Sequence, residues 1–495
     1  MKQKYPDGEV ISPGTVVISA AGHCNDISKV VEPLIKETTN NKLYYINLSN
    51  DTYKLGGSSF GQIHHKIGTE TPTIKDANKF KIAFNILQKL IKEERILAGH
   101  DISSGGMITT LLEMCFSQQT LGLNIDLTAI SEADTIKLLF AENSGIIFQS
   151  ADETVPAILT ENNIEFFEIG FAHKSDCITI NNFDEIHTFN IAELRDVWYE
   201  TSYLLDQKQC ANNKALDRFE NYKNQPLKYT FPEHFIGKKP IISNTVERPK
   251  AAIIREKGSN SEREMANAMY LAGFDVKDVH MTDLISGRET LEDIQFIGAV
   301  GGFSNSDVLG SAKGWAGAFL YNEKAKNALD NFFKREDTLS VGICNGCQLF
   351  MELEVINPEH KVHGKLLHND SQKHESGFTS VTVQKNNSVM LSTLAGSTLG
   401  VWISHGEGKF NLPMEENNYN IVAKYGYDAY PANPNGSDYN VAMMSSKDGR
   451  HLVMMPHIER SLFQWNWAYY PEGRKDEVSP WAEAFVNARK WLTEK

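Results

Sequence analysis

The chain has 495 residues, a formal net charge of −14 and a sequence pI near 5.6; it is too long for one ordinary core and carries no long Lys/Arg block. That balance argues against a dominant nucleic-acid function and points to a soluble, cytoplasmic protein of two substantial domains. Its six cysteines are scattered and few for a disulfide scaffold, no run of about 18 apolar residues is present, and MKQKYPDGEV lacks the apolar stretch of a signal peptide.

The first domain is expected over residues 1–200. Thr15 to Ser19 reads as a strand, Ile27 to Lys36 as a helix and Lys42 to Leu48 as a second strand. The latter runs into NDTYKLGGSSFGQ, where Gly56, Gly57 and Gly61 suit a close approach to a ligand. Without a GxxxxGK[ST] or a strand-flanked GxGxxG, this is an incomplete phosphate signature. Asp76 to Glu94 reads as one long helix, since Phe80, Ala83, Phe84, Leu87, Leu90 and Ile91 recur at spacings of three and four. In LAGHDISSGGMITTLLEMCF a short strand feeds His100 and Asp101, and Ser103 to Gly106 open an apolar helix, Met107 to Phe116. Such a helix start suits a phosphate, and equally an ordinary N-cap with His100 and Asp101 as a hydrogen-bonded structural pair. Leu123 to Leu127, Ile146 to Gln149, Thr154 to Glu161 and Phe166 to Ala172 continue the alternation, with Glu142 just before one strand. A mixed sheet covered by helices is expected.

A connector over residues 201–247 follows. It is polar to Asn224 and then punctuated by Pro226, Pro232 and Pro240, which reads as a helix leading into an extended linker. Tyr199, Tyr203, Leu204 and Leu205 give its start an apolar surface.

The second domain, 248–495, alternates more cleanly. Lys250 to Arg255, Asp275 to His280, Ile294 to Val300 and Leu339 to Ile343 read as strands, and Ser261 to Ala272 as a helix capped by Asn260 or Ser261. Gly-rich strand ends specify a doubly wound parallel sheet with its ligands at the carboxyl ends of the strands. The fourth strand ends at Cys344, at a sharp turn before a helix-like run, Gln348 to Leu353. Backbone N–H groups at that helix start favour a thiolate, so Cys344 is either a nucleophile or an ordinary buried thiol. Cys344 and Cys347 have the spacing of a metal half-motif, but no second Cys/His pair completes a site. The backbone N–H groups of Gly302 and Asn345 would be placed as an oxyanion hole, with a tight turn as the plainer reading of Gly302. In HLVMMPHIER, His457 and Glu459 follow an apolar strand two residues apart, so Glu459 can orient the imidazole towards Cys344. His405, His368 and His374 compete with His457 but lack a comparable carboxylate partner. Phe378 to Val383 and Val389 to Leu391 resemble short strands, Tyr430 to Gly436 is a loop, and the polar stretch Lys365 to Phe378 belongs to a subdomain suited to shape an amide pocket. The aromatic group Phe463 to Tyr470 reads as a core or domain contact, and Trp481 to Trp491 as a terminal amphipathic helix.

GGFSNSD, GICNGCQ, SHGEGKF, AYPANPNGS and MMPHIER together resemble the glutaminase domain of the large phosphoribosylformylglycinamidine synthase family of purine synthesis, and the resemblance extends through RPKAAIIREKGSNSEREMA. AGHDISSGG and the glycines near residues 55–61 look like the C-terminal half of that family's last ATP-binding module, and ETSYLL resembles its connector. The resemblance implies an α/β and α+β chain: a flavodoxin-like class I glutaminase domain with a parallel sheet, preceded by half of an AIR synthase-like module with a mixed sheet. It implies that Cys344 attacks L-glutamine, that His457 shuttles the proton and Glu459 orients it, and that Gly302 and Asn345 hold the oxyanion. Cys347 is then not the nucleophile. Ser304, Asp307 and Gln348 would line the glutamine pocket, and Gly56, Gly57, His100 and Asp101 would be cofactor-binding. ATP and Mg²⁺ are implied for the complete enzyme, and no cofactor or metal for glutamine hydrolysis itself.

Formylglycinamide ribonucleotide is implied as a substrate only of the complete enzyme, with the upstream synthetase portion as partner and neither nucleic acid nor membrane involved. The chain is therefore expected to carry the glutaminase machinery without the complete synthase activity. Departures from the family pattern fall at Asn305-Ser306 (commonly Tyr-Gly), Ile458 (commonly Pro) and Gly377 (matched to Arg). A cysteine hydrolase of another small amide and a catalytically silent docking module are the competing readings.

Overall fold

The computed structural model describes residues 2–11, 17–117, 120–224, 227–242, 248–471 and 473–494. It forms two compact units, one ending at Trp198 and the other starting at Tyr199, with the boundary inside the helix Ile191–Asp206.

In the first unit a seven-stranded sheet runs in the order Ala98–Ile102, Gly145–Ser150, Lys42–Asn47, Phe167–Lys174, Leu121–Asp126, Cys177–Asn182 and Glu185–Asn190. All neighbours are antiparallel except Leu121–Asp126 and Cys177–Asn182, so the sheet is mixed. Both faces of Lys42–Asn47 are buried: Leu43 and Tyr45 join one apolar cluster, Tyr44 and Ile46 the other. That explains its continuous apolar run, because a strand covered on both sides needs no polar alternation. The helix Ala77–Lys92 buries Ala83, Leu87 and Leu90 in the second cluster, while Phe84 is exposed. Its N-cap is Asp76, whose carboxylate accepts from the amides of Asn78 and Lys79, both at 3.0 Å.

Two expectations fail here, and one element was not expected. The helix over 27–36 shrinks to a 3₁₀ turn, Ile27–Lys29, because Val30 and Val31 are β-branched and Pro33 supplies no N–H. The strand over 15–19 lies partly outside the described residues, and 17–19 carry no strand. A hairpin, Lys2–Tyr5 with Gly8–Ile11, went unread despite its Asp-Gly signal.

The second unit holds a nine-stranded sheet in the order Asp275–His280, Lys250–Arg255, Phe296–Ala299, Leu339–Ile343, His451–Met454, Val441–Ser445, Asn420–Tyr425, Glu375–Val383 and Thr398–His405. The first five are parallel and form the doubly wound, flavodoxin-like half. The rest pair antiparallel, so the parallel sheet expected from the Gly-ended strands is extended by an antiparallel half. Short connections such as that between Val441–Ser445 and His451–Met454 cannot make a parallel crossover, which needs a dozen or more residues. Leu339–Ile343 and His451–Met454 are buried at every position, as parallel central strands are. Helices Glu262–Ala272 and Ala482–Thr493 pack together as one group, and Lys313–Leu320, Glu323–Lys334 and Asn345–Glu352 belong to another. Ser261 precedes its helix in a left-handed conformation and makes no side-chain cap, and Val389–Leu391 is a turn rather than a strand.

Part of the expected connector packs on this unit. Ala211 N donates to Ser371 O at 2.9 Å, and Arg218 bridges Asp206 and the buried Glu375, which also accepts from the Tyr430 hydroxyl at 3.0 Å. Gln225-Pro226 lies outside the described residues.

Replacing Asp76 by Ala removes the carboxylate that caps the Ala77–Lys92 helix, and is expected to lower stability to chemical denaturation by about 1 kcal/mol.

Candidate active site

Cys344 sits where the strand Leu339–Ile343 turns into the helix Asn345–Glu352, at φ 53°, ψ −107°. A non-glycine residue there costs on the order of 1–3 kcal/mol and is retained only where its surroundings over-determine it. Those surroundings are tight. A Cβ on Gly346 would lie 2.0 Å from Ala299 O and one on Gly342 would lie 2.6 Å from Gly346 O, so the helix start can pack against the strands only without side chains. The Cys344 amide donates to Met454 O at 2.8 Å, joining the turn to the strand that leads to His457.

His457 and Glu459 follow that strand, both more than nine-tenths buried. His457 Nδ1 donates to Glu459 Oε1 at 2.6 Å, and the His457 amide donates to Trp402 O at 2.8 Å. Burial alone would lower the imidazole pKa, but the Glu459 carboxylate and contact with the Cys344 sulfur reverse it, holding the ring protonated up to about 10. Among the described residues His457 Nε2 makes no hydrogen bond, and the Cys344 sulfur lies 3.4 Å from Ser404 O, yet Cys344 stands close enough to the imidazole to favour the charged ring. A loose contact of this kind is ordinary in a resting cysteine site and tightens with substrate. Gly301 separates the pair: a Cβ there would lie 2.9 Å from His457 Cε1 and 3.4 Å from Cys344 Cβ.

Of the two expected oxyanion donors, Asn345 directly follows Cys344 and Gly302 lines the same small cavity as Cys344. An isolated bridge between Ser259 and Gly302 holds Gly302, at φ 125°, beside the turn. Neither the Gly302 amide nor the Asn345 amide donates to any acceptor among the described residues. The Asn345 side chain, which sequence reasoning did not use, ties the pieces together: Oδ1 accepts from Ser304 N at 3.1 Å, and Nδ2 donates to Gln348 Oε1 at 2.8 Å and Asp307 Oδ1 at 3.3 Å. Gln348 Nε2 then donates to Glu407 O at 2.7 Å. Burial, and after it the neighbouring Glu407 carboxylate, raise the Asp307 pKa against hydrogen bonds from Ala312 and Asn345. A cavity of about 50 Å³ is lined by Gly302, Cys344, Ser404, His457, Asn260 and Arg460, and also touches Asp307. A wider cavity of about 770 Å³ shares Asp307 and adds Glu407.

The competing histidines do not replace His457. His405 is buried, neither ring nitrogen has a hydrogen-bond partner among the described residues, and burial, then His457 and His374, lower its pKa to about 3. His374 contacts Ser404 Oγ at 3.0 Å, and His368, contrary to the expectation that it lacks a carboxylate partner, has Glu407 Oε1 3.9 Å from its Nδ1 but is exposed. Cys347 is wholly buried, and burial, then Cys344, push its thiol well up, which suits an inert role.

Residues 248–492 match the CobB/CobQ-like glutamine amidotransferase domain, and residues 39–180 match the C-terminal domain of AIR synthase related proteins. A probable phosphoribosylformylglycinamidine synthase, chloroplastic/mitochondrial, of Arabidopsis thaliana is 38% identical over 99% of this chain and 36% of its own length. The phosphoribosylformylglycinamidine synthase of Homo sapiens is 35% identical over 98% of this chain and 39% of its own. Over nearly its whole length the chain is similar to part of the phosphoribosylformylglycinamidine synthases. It spans 36–40% of the length of the curated relatives it matches. The solved structure of PurLQS from Thermotoga maritima overlaps 50% of this chain and 100% of that chain, at 24% identity and a TM-score of 0.40.

In the first unit the four candidate cofactor residues do not offer free donors. The Gly56 amide donates to Glu70 O at 2.9 Å and the Gly57 amide to Ile67 O at 2.7 Å, so their close approach is to the chain's own backbone. His100 is held by Asp101 at 3.2 Å and Glu113 at 2.9 Å, as the structural-pair reading has it. The helix start expected to suit a phosphate receives a carboxylate instead: Glu142 Oε1 accepts from Ser59 N at 2.7 Å and Gly105 N at 2.8 Å. These residues therefore do not fit a phosphate group as they stand. Among the described residues, no three His, Cys, Asp or Glu side chains converge as metal ligands.

The departures from the family pattern are local. Gly377 faces open space, so the missing arginine leaves no void, and Ile458 is simply buried. Asn305, Ser306 and Asp307 have φ of 52°, 56° and 46°, three consecutive non-glycine residues in the left-handed region. Ser306→Gly is expected to raise stability by about 1 kcal/mol in chemical denaturation, because a left-handed L-residue costs about that much.

A protonated His457 stabilises the fold fully below its unfolded value of about 6.5, and that contribution is lost as pH rises through about 10. The destabilisation caused by Glu459→Gln should accordingly be largest near pH 6 and shrink steadily towards pH 10. Denaturation curves at several pH values check this, and a penalty growing with pH would contradict the protonated ring.

Proposed function

We propose that this chain hydrolyses L-glutamine at Cys344 and supplies the ammonia for ATP-dependent conversion of formylglycinamide ribonucleotide to formylglycinamidine ribonucleotide, in assembly with the synthetase portion of the enzyme. The observation that carries this reading is Cys344 on a strained strand-to-helix turn in contact with a buried His457–Glu459 pair. The similarity to phosphoribosylformylglycinamidine synthases and the glutamine amidotransferase match over 248–492 support the substrate.

In the reaction, the Cys344 thiol first loses its proton to solvent, leaving a thiolate paired with imidazolium at His457; the sulfur then attacks the carboxamide carbon and the carbonyl oxygen becomes an oxyanion facing the Gly302 and Asn345 amides. Imidazolium at His457 gives its Nε2 proton to the leaving nitrogen, and ammonia departs as the C–N bond breaks. A γ-glutamyl thioester remains on Cys344. Neutral His457 next takes a proton from water, the hydroxide attacks the thioester carbonyl, and the C–S bond breaks to release glutamate. The proton returns the active-site pair to its starting state. Glu459 holds the Nδ1–H throughout, which fixes the tautomer and supports the charged ring. The carboxamide head occupies the small cavity, and the α-ammonium lies against Asp307 with Glu407 beside it, where two carboxylates favour a cation. ATP, with Mg²⁺, would drive the amidation at the synthetase site. The helix starts of the first unit are already engaged by Glu142, so no residue here is assigned to it.

The chloromethyl ketone analogue of glutamine should alkylate Cys344 alone, with displacement of chloride. Intact-mass analysis is expected to show one adduct, with the rate reduced about 100-fold or more in His457→Ala. Labelling that survives Cys344→Ser would overturn the assignment. Equal reactivity with peptide or ester electrophiles would favour a hydrolase of another amide.

A further inference from the structure

We infer that Asn369 is the positioning residue of the glutamine pocket: it clips the backbone of residues 405–408 into the shape that presents the Ser404 and Glu407 carbonyls to the reacting side of the site. The inference rests on the glutaminase reading above. Sequence reasoning had assigned the surrounding stretch, Lys365 to Phe378, only to a subdomain suited to shape an amide pocket.

Segment 404–408 forms the wall of the pocket opposite the elbow helix. Ser404 O accepts from the Cys344 thiol at 3.4 Å, Glu407 O accepts from Gln348 Nε2 at 2.7 Å, and Gly406 lines the small cavity. The segment leaves the strand Thr398–His405 and re-enters a short strand, Lys409–Asn411, so sheet pairing does not hold its middle. Asn369 does. Its side chain is completely buried, and Nδ2 donates to His405 O at 2.7 Å and to Lys373 O at 3.0 Å. Its Oδ1 accepts from the Gly408 amide at 3.0 Å, and its own amide donates to Gly406 O at 2.9 Å. One residue thus satisfies backbone groups of three of the four residues 405–408.

The chemistry requires an amide of this length. Aspartate can accept from Gly408 but turns an oxygen towards the His405 and Lys373 carbonyls, where Asn369 now has donors. Alanine leaves a buried N–H and two buried C=O groups without their present partner. A hydrophobic substitution cannot satisfy any of them. The ring of His405 packs on the other side of the segment, with Nδ1 2.5 Å from where a Cβ on Gly408 would be, so the segment has little room to adopt a different path.

The test compares two electrophiles on the full chain: the chloromethyl ketone analogue of glutamine, which needs the pocket, and iodoacetamide, which needs only the thiol. In Asn369→Asp the half-saturating concentration of the glutamine analogue is expected to rise about 10- to 100-fold, as expected for a displacement near 1 Å. The maximal labelling rate and the iodoacetamide rate at Cys344 should stay within about threefold, which a merely structural defect would not preserve. An unchanged half-saturating concentration in a folded variant overturns the inference. Failure of the unsubstituted chain to label with the glutamine analogue, while iodoacetamide still reacts, instead overturns the glutaminase reading. If the variant does not fold, hydrogen–deuterium exchange of the unsubstituted protein decides: the Gly408 amide must be protected to the same order as the amides of Val441–Ser445, and rapid exchange at Gly408 overturns the inference.

Discussion

The parallel pairing of Leu339–Ile343 with His451–Met454 is the constraint on which the site depends. Ser340 pairs with His451 and Ile343 with Met454, so the two strands end together. Cys344 follows the first strand and His457 the second, with the Cys344 amide bonded to Met454 O. A shift of one residue would reverse the direction of every side chain along the strand. Complete burial of both strands makes such a shift costly, since apolar side chains on both faces are already packed. The placement of Cys344 and His457 is therefore held by the core and not by those two side chains themselves.

Around that pair the glycines act by absence. Gly342 and Gly346 let the elbow helix press onto the strand ends, and Gly301 leaves room where a side chain would meet both His457 and Cys344. The polar groups act by closure. Asn345 joins the oxyanion loop to Gln348, Gln348 joins it to Glu407, and Asn369 holds the segment on which Glu407 lies. These bonds connect four chain segments that are far apart in sequence, which rigidifies a pocket built largely from loops. The first unit follows a different principle. Its glycine-rich loop and helix starts satisfy their amides internally, through Glu70, Ile67 and Glu142.

Much of this was legible in advance. Cys344 could be read as a strand-end turn residue, and His457 with Glu459 as an alternate-residue pair, because strand ends and period-two spacing are local properties. The helix Ala77–Lys92 showed its apolar stripe for the same reason. Phe84 lies on that stripe yet is exposed, since periodicity says which residues share a face and not how far the covering layer extends. The antiparallel half of the large sheet was poorly legible: Val389–Leu391 is apolar enough for a strand but folds as a turn. Asn369 and the Asn345 side chain gave no sequence signal as pocket-shaping groups, because asparagine is common in turns for purely local reasons.

What the sequence by itself determined is the set of local motifs: the Gly-flanked cysteine, the His-x-Glu after an apolar strand, and the alternation of strands and helices that makes a doubly wound sheet. Only the tertiary structure distinguishes the histidines around Cys344, since His405, His374 and His457 differ in their partners. It also decided that Glu142 takes the helix starts of the first unit and that Asn369 shapes the wall of the pocket. The physical reason is common to these cases: burial and hydrogen-bond closure depend on groups brought together from distant parts of the chain, and no local pattern encodes which distant group arrives.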